Sequence, residues 1–125
     1  AVLNASRRDI GEIEAALEQL EASTGDQDRF TRWDSRFHLE LARCSRNPLM
    51  LHIYEEINEV RVHPQWDRMK SVVLTRQTMT HYNVEHRAIF AAIRDHDVTA
   101  AVDAITRHLE TARGHLIGAE TADER

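Results

Sequence analysis

The chain is poor in the residues that punctuate or staple a fold. It has one cysteine, two prolines and four glycines in 125 residues. A single thiol, Cys44, excludes an internal disulfide framework and fits a reducing, cytoplasmic compartment. Scarce glycine and proline, with 42% hydrophobic and 30% charged residues, argue against disorder and against a turn-rich β fold. No uninterrupted apolar run approaches membrane-spanning length, and nothing resembles a signal peptide, so no membrane partner is expected. Basic residues do not predominate either. Sixteen Lys and Arg stand against 21 Asp and Glu, a net charge of -5, which is a poor footprint for nucleic acid. The length suits one domain with a real core. The first residue is Ala1 rather than Met, which fits a processed chain or a piece of a longer one. What is plentiful is histidine, with eight.

Hydrophobic spacing predicts an all-α antiparallel bundle of about five to six helices, five of which can be read directly. One runs from about Arg8 to Ala22, with Ile10, Ile13, Leu17 and Leu20 on one face. Gly25 is placed to end it, and Asp26 to cap the next. The second runs from about Asp28 to Cys44. Pro48 suits the first turn of a third, read from Pro48 to about Val62 with Leu49, Ile53, Ile57 and Val60 inward, and Pro64 kinks or stops it. A fourth spans about Leu74 to Arg94, with the stripe Met79, Tyr82, His86, Ile89, Phe90 and Ile93. After the turn Asp95-His96-Asp97, with Asp97 as N-cap, a fifth reaches about Ile117. Its face of Ala101, Ala104, Ile105, His108 and Ala112 is small enough for a close helix contact. Short connections make neighbouring helices antiparallel.

Four polar residues stand where these helices call for hydrophobes: Asp34, His38, His86 and His108. Asp34 and His38 are four apart and share a face with Phe30, Phe37 and Leu41. A carboxylate and an imidazole within an apolar stripe are costly unless each finds a partner. His86 lies 11 residues before Asp97 and His108 lies 11 after it, so a hairpin folded there brings the two level. One oxygen and three nitrogens would then meet in the bundle core, a donor set suited to Zn, Ni or Mn. A second reading stands beside this one: the same residues as hydrogen-bonded core groups. His52, His63, His81 and His96 fall on polar faces or in turns, whereas His115 shares a face with His108. No carboxylate is visibly free beside the cluster to act as a general base. The sequence contains no His-Glu-x-x-His helix, nucleophile elbow, phosphate-binding loop or paired Glu-x-x-His motif. Cys44 has no visible activation.

Three local patterns resemble the C-terminal ligand-binding domain of GntR-family transcription regulators, the FadR-type FCD domain. They are Asp34-Ser35-Arg36-Phe37-His38 leading into Ser45-Arg46-Asn47-Pro48-Leu49, then Glu85-His86-Arg87-Ala88-Ile89-Phe90-Ala91-Ala92-Ile93-Arg94, and Ala100-Ala101 through Arg107-His108-Leu109. In order and separation they span nearly the whole chain. The resemblance implies an all-helical bundle, no enzymatic activity, a homodimer, and Asp34, His38, His86 and His108 as ligands of a divalent metal. It also implies open coordination positions where a small organic acid binds and alters how paired DNA-binding domains sit on an operator. Residues 1–125 would form one effector- and metal-binding domain. The family's preceding winged helix-turn-helix domain is absent from this sequence, and its first effector-domain helix is missing or truncated. Arg46 stands where the family often has Gly in a left-handed helix end, so Asn47 is expected to take that conformation instead.

A metal held by one carboxylate and three neutral imidazoles keeps about one positive charge, which favours an anionic, bidentate carboxylate. Tyr54, Asn58 and Arg61 form a polar strip on the third helix. Facing the cavity, Arg61 would pair a second carboxylate and Asn58 or Tyr54 would orient a hydroxyl, the other reading being a surface arginine. Tyr82, one turn before His86, would form a wall. Arg36 points about 200° around its helix from Asp34. Two competing functions use the same residues: a metal-dependent hydrolase with a bound water as nucleophile, and a structural dimerisation bundle.

Overall fold

The computed structural model describes residues 5–44, 46, 48, 49, 51, 52, 54, 55 and 64–123, with backbone alone at 64–67 and 116–123. Five helices are delimited: α1 (Arg7–Ala22), α2 (Gln27–Cys44), α3 (Pro64–Val73), α4 (Arg76–Arg94) and α5 (Val98–Asp123). There is no strand among the described residues. Each helix begins or ends where side-chain chemistry replaces the missing backbone partners. Ser6 and Asp9 form a capping box at α1, with Ser6 N donating to Asp9 Oδ2 at 3.0 Å and Asp9 N to Ser6 Oγ at 3.1 Å. Asp26 caps α2 through the amide of Arg29, Thr75 caps α4, and Asp97 caps α5 through the amide of Ala100. Gly25 turns the chain between α1 and α2 at φ 93°. A Cβ there would lie 2.5 Å from the Arg76 guanidinium, the mobile end of a long side chain, so it is the positive φ rather than the packing that calls for glycine.

The α1–α2 and α4–α5 links are tight turns, and both pairs pack as antiparallel hairpins. α1 also packs on α4, and α3 on α5. The interior holds Ile13, Leu17 and Leu20 from α1, Phe30 and Phe37 from α2, Met79, Ile89 and Phe90 from α4, and Ala101 from α5. Ala101 is fully buried, in keeping with a close contact on the small face of α5. His86 is as deeply buried as these apolar residues.

Four sequence expectations change. Pro64 opens a helix rather than only stopping one, its missing N–H being tolerated in a first turn. α5 continues six residues past Ile117 to Asp123. Gly118, the one glycine in that extension, costs only about 1 kcal/mol in helix propensity. Arg46 itself adopts the left-handed conformation, at φ 56°. Its partner in that expectation, Asn47, lies outside the described residues. In the segment after α2, Pro48, Leu49, Leu51, His52, Tyr54 and Glu55 have helical backbone, but Leu49 is 65% exposed rather than inward. Tyr54 meets α2, and Leu49 lies roughly 140° around the helix from it, at about 100° per residue. Ile53, Ile57, Val60 and His63 lie outside the described residues. No described helix is long and apolar enough to cross a membrane.

Candidate metal centre

α2 sets Asp34 and His38 one turn apart on its inner face, where Asp34 Oδ1 lies 3.3 Å from His38 Nε2. α4 brings His86 Nε2 to 3.2 Å from the same oxygen. α5 brings His108 Nε2 to 3.1 Å from His86 Nε2. The four potential ligand atoms all lie within 4.8 Å of one another. An ion bound at about 2.0–2.2 Å by each ligand separates neighbouring ligand atoms by roughly 3–3.5 Å, so the three short edges match that requirement. The imidazoles of His38 and His108 are nearly parallel, 14° apart at 5.4 Å. That of His86 meets both edge-on.

The protonation of these rings follows from their surroundings. Burial pushes His86 below the ordinary histidine range, with Asp34 opposing in part. Burial, then the neighbouring His86, does the same to His108, with Glu85 opposing. Both rings are therefore held neutral, each with one N–H and one lone pair. Their outer nitrogens face oxygen acceptors. His86 Nδ1 is 3.4 Å from Asn83 Oδ1, and His108 Nδ1 is 2.9 Å from Glu85 Oε1. The Asn83 amide is oriented by its NH2 group, which donates to Leu20 O at 3.2 Å. The carboxylate of Glu85 can only accept, so the His108 proton sits on Nδ1 and its Nε2 lone pair faces inward; for His86, Asn83 Oδ1 offers Nδ1–H an acceptor in the tautomer that turns the Nε2 lone pair toward Asp34 and His108. With both protons on the outer nitrogens, the two Nε2 lone pairs and the Asp34 oxygen form a set that a cation would bridge. The donor set and its tautomers fit a divalent ion.

Around the cluster, Tyr54 stacks on His38 with ring centroids 5.9 Å apart, and Tyr82 stands edge-on to His108 at 5.6 Å. Burial, followed by Asp34 and Glu85, raises the Tyr82 phenol well above its ordinary range. It stays protonated, and its hydroxyl shares a hydrogen bond of 2.6 Å with His115 Nδ1. His115 is therefore tied to Tyr82. Asn58 and Arg61 lie outside the described residues. His52, His81 and His96 are exposed. Cys44 is buried, and burial raises its thiol. Glu85 stands beside the cluster with both its oxygens engaged, by His108 and by Thr111. Asn83, Glu85 and Thr111 are the neighbours that spacing arguments missed. The signal was available, because a hairpin that levels residue 86 with 108 also sets residue 85 beside that turn of α5.

An all-α bundle with a convergent three-histidine, one-aspartate cluster is the architecture that fold and geometry define. The family described as "FCD domain" matches residues 1–111, and the chain belongs to that family. It is 26% identical to the Uxu operon transcriptional regulator of Escherichia coli K12, over 99% of this chain and 49% of that protein. To the HTH-type transcriptional repressor NanR of Klebsiella aerogenes it is 31% identical, over 89% of this chain and 42% of that protein. To the galactonate operon transcriptional repressor of E. coli K12 the identity is 29%, over 83% and 44%. The chain thus spans about half the length of the curated relatives it matches. They are GntR-family regulators, and the domain is regulatory rather than enzymatic.

Proposed function

We propose that this chain is the effector-sensing domain of a GntR-family transcription regulator, holding a divalent ion through Asp34, His38, His86 and His108. Zn, Ni or Mn suits one carboxylate and three imidazoles. The observation that carries this reading is the convergence of four ligand atoms from three helices, with the outer nitrogens of His86 and His108 bonded to oxygens. When bound, the metal supplies a site of about one net positive charge with positions open to an anionic ligand. The protein's own groups do the rest. Asn83 contacts the outer nitrogen of His86, and Tyr54 and Tyr82 pack against the cluster. The effector is a small organic carboxylate, and a sugar acid is a natural candidate given the galactonate operon repressor among the relatives. Its binding modulates a DNA-binding domain outside this chain, in a cytoplasmic homodimer.

Elemental analysis of the purified chain, combined with thermal-shift screening of small carboxylic acids, tests the reading. Stoichiometric divalent metal is expected, lost in His86→Ala and His108→Ala, and so is stabilisation by an acid that depends on the metal. A metal-free sample whose thermal midpoint ignores added Zn or Ni would sink it. Among the described residues, Glu85 is the carboxylate bonded to the cluster's outer side, and both its oxygens are engaged, which does not favour the hydrolase alternative.

A further inference from the structure

We propose that Glu85 is the positioning residue of this cluster: its carboxylate, steadied by Thr111, holds His108 in the tautomer and orientation that turn Nε2 toward the shared centre. This rests on the metal reading above and adds a residue outside the four ligands.

Glu85 precedes His86 in sequence but serves the opposite helix. Its side chain is only 12% exposed, and both oxygens are directed across the α4–α5 interface. Oε1 accepts from His108 Nδ1 at 2.9 Å and Oε2 from Thr111 Oγ1 at 2.9 Å. Thr111 Oγ1 also lies 3.0 Å from the carbonyl of Arg107. With one proton to give, the hydroxyl favours the charged oxygen. His81, on the exposed side, stands 3.7 Å from Oε2. A carboxylate can only accept, so the bond at Oε1 fixes the proton on Nδ1 and leaves Nε2 with its lone pair inward.

The asymmetry of the site explains why the strong outer bond falls here. Asp34 and His38 are aligned by one helix turn. His86 is pinned in the core, and its outer contact is a longer one to a neutral amide. His108 is the one of the four on α5, and its outer nitrogen bonds to a side chain of α4 rather than of its own helix. The Glu85 contact sets the direction of its ring from α4.

The test uses the full chain as wild type, Glu85→Ala, Glu85→Gln and Thr111→Val, with His108→Ala as reference. Co(II) affinity is measured by competition with a chromophoric chelator, and the His108 tautomer by long-range 1H–15N NMR on chelator-treated protein. Glu85→Ala should weaken Co(II) binding by about 10–100-fold and mix the His108 tautomers. Glu85→Gln, whose amide oxygen can still accept from Nδ1, should recover most of the affinity and the single tautomer. A clip that merely joined two helices would move the metal-free thermal midpoint but not the tautomer. Glu85→Ala binding within about twofold of wild type, far short of an outer-sphere effect, overturns the proposal alone. So does an unchanged tautomer. Wild-type protein that binds no Co(II) overturns the metal reading and the proposal together. Should Glu85→Ala not fold, Thr111→Val carries the decision: weakened Co(II) binding supports the proposal, and unchanged binding overturns it.

Discussion

Arg46 holds a backbone conformation that a Cβ makes costly, φ 56° just after α2, at roughly 1–2 kcal/mol for an L-residue. Its guanidinium recovers a little of this through Asp9 Oδ2 at 3.4 Å, an exposed pair of small value. Arg46→Gly should therefore stabilise the chain, by a net of about 0.5–1 kcal/mol once the extra freedom of unfolded glycine is subtracted. The midpoint of urea unfolding reads this directly, and a lower midpoint would show that the Asp9 contact outweighs the strain. The family resemblance marks position 46 as a left-handed helix end, yet Arg there is disfavoured and Asn47 is the better candidate by propensity. Residue preference and local geometry disagreed, and geometry prevailed. Glu85 is the opposite case. Nothing in its own helix period singles it out, since its partners are 23 and 26 residues away in sequence.

At the level of elements, periodicity located α1, α2 and α4 to within about two residues, because each has a strong apolar face and a clear cap. α3 escaped because Pro64 reads equally as a stop or a start, and only a packing partner decides between them. The cap of α1 supplies a pH test. Asp9 is held below its ordinary value near 3.8, first by the backbone N–H of Ser6; burial opposes this, and the Ser6 hydroxyl, Arg46 and Arg8 add smaller lowering effects. The unfolded chain then binds more protons in the acid range, so stability rises with pH. The contribution is fully present above about pH 4 and is lost as pH falls through the lowered folded value. Asp9→Asn should flatten that part of the profile while leaving the neutral-pH fold intact. Urea midpoints compared between about pH 5 and pH 2.5 check it, and parallel curves for the two proteins would refute the assignment.

Over the whole molecule, the four proposed ligands come from α2, α4 and α5, while α1 contributes packing and the Leu20 carbonyl that accepts from Asn83. An ion at their centre would tie three helices that otherwise meet through side-chain contacts. Because it binds only the folded chain, metal at about 100 times its dissociation constant should add about 2.7 kcal/mol of stability. Differential scanning calorimetry with and without chelator measures this, and coincident traces would contradict it. The convergence itself was legible in the sequence through the equal spacing of His86 and His108 about Asp97. The outer bonds were not, because they depend on which rotamers the core permits.

The side chains of the cluster are graded in exposure: His86 0%, His108 6%, His38 11% and Asp34 15%. That gradient gives the centre a direction of traffic. An arriving ion would meet Asp34 and His38 before it reached His86, and a departing one would leave by the same flank, past Tyr54 on the His38 ring. The rate at which a chelator strips the protein would then be set at that doorway, independently of how tightly the innermost histidine holds. Tyr54→Ala should hasten stripping in stopped-flow chelation while barely changing equilibrium affinity, and equal rates would place the doorway elsewhere.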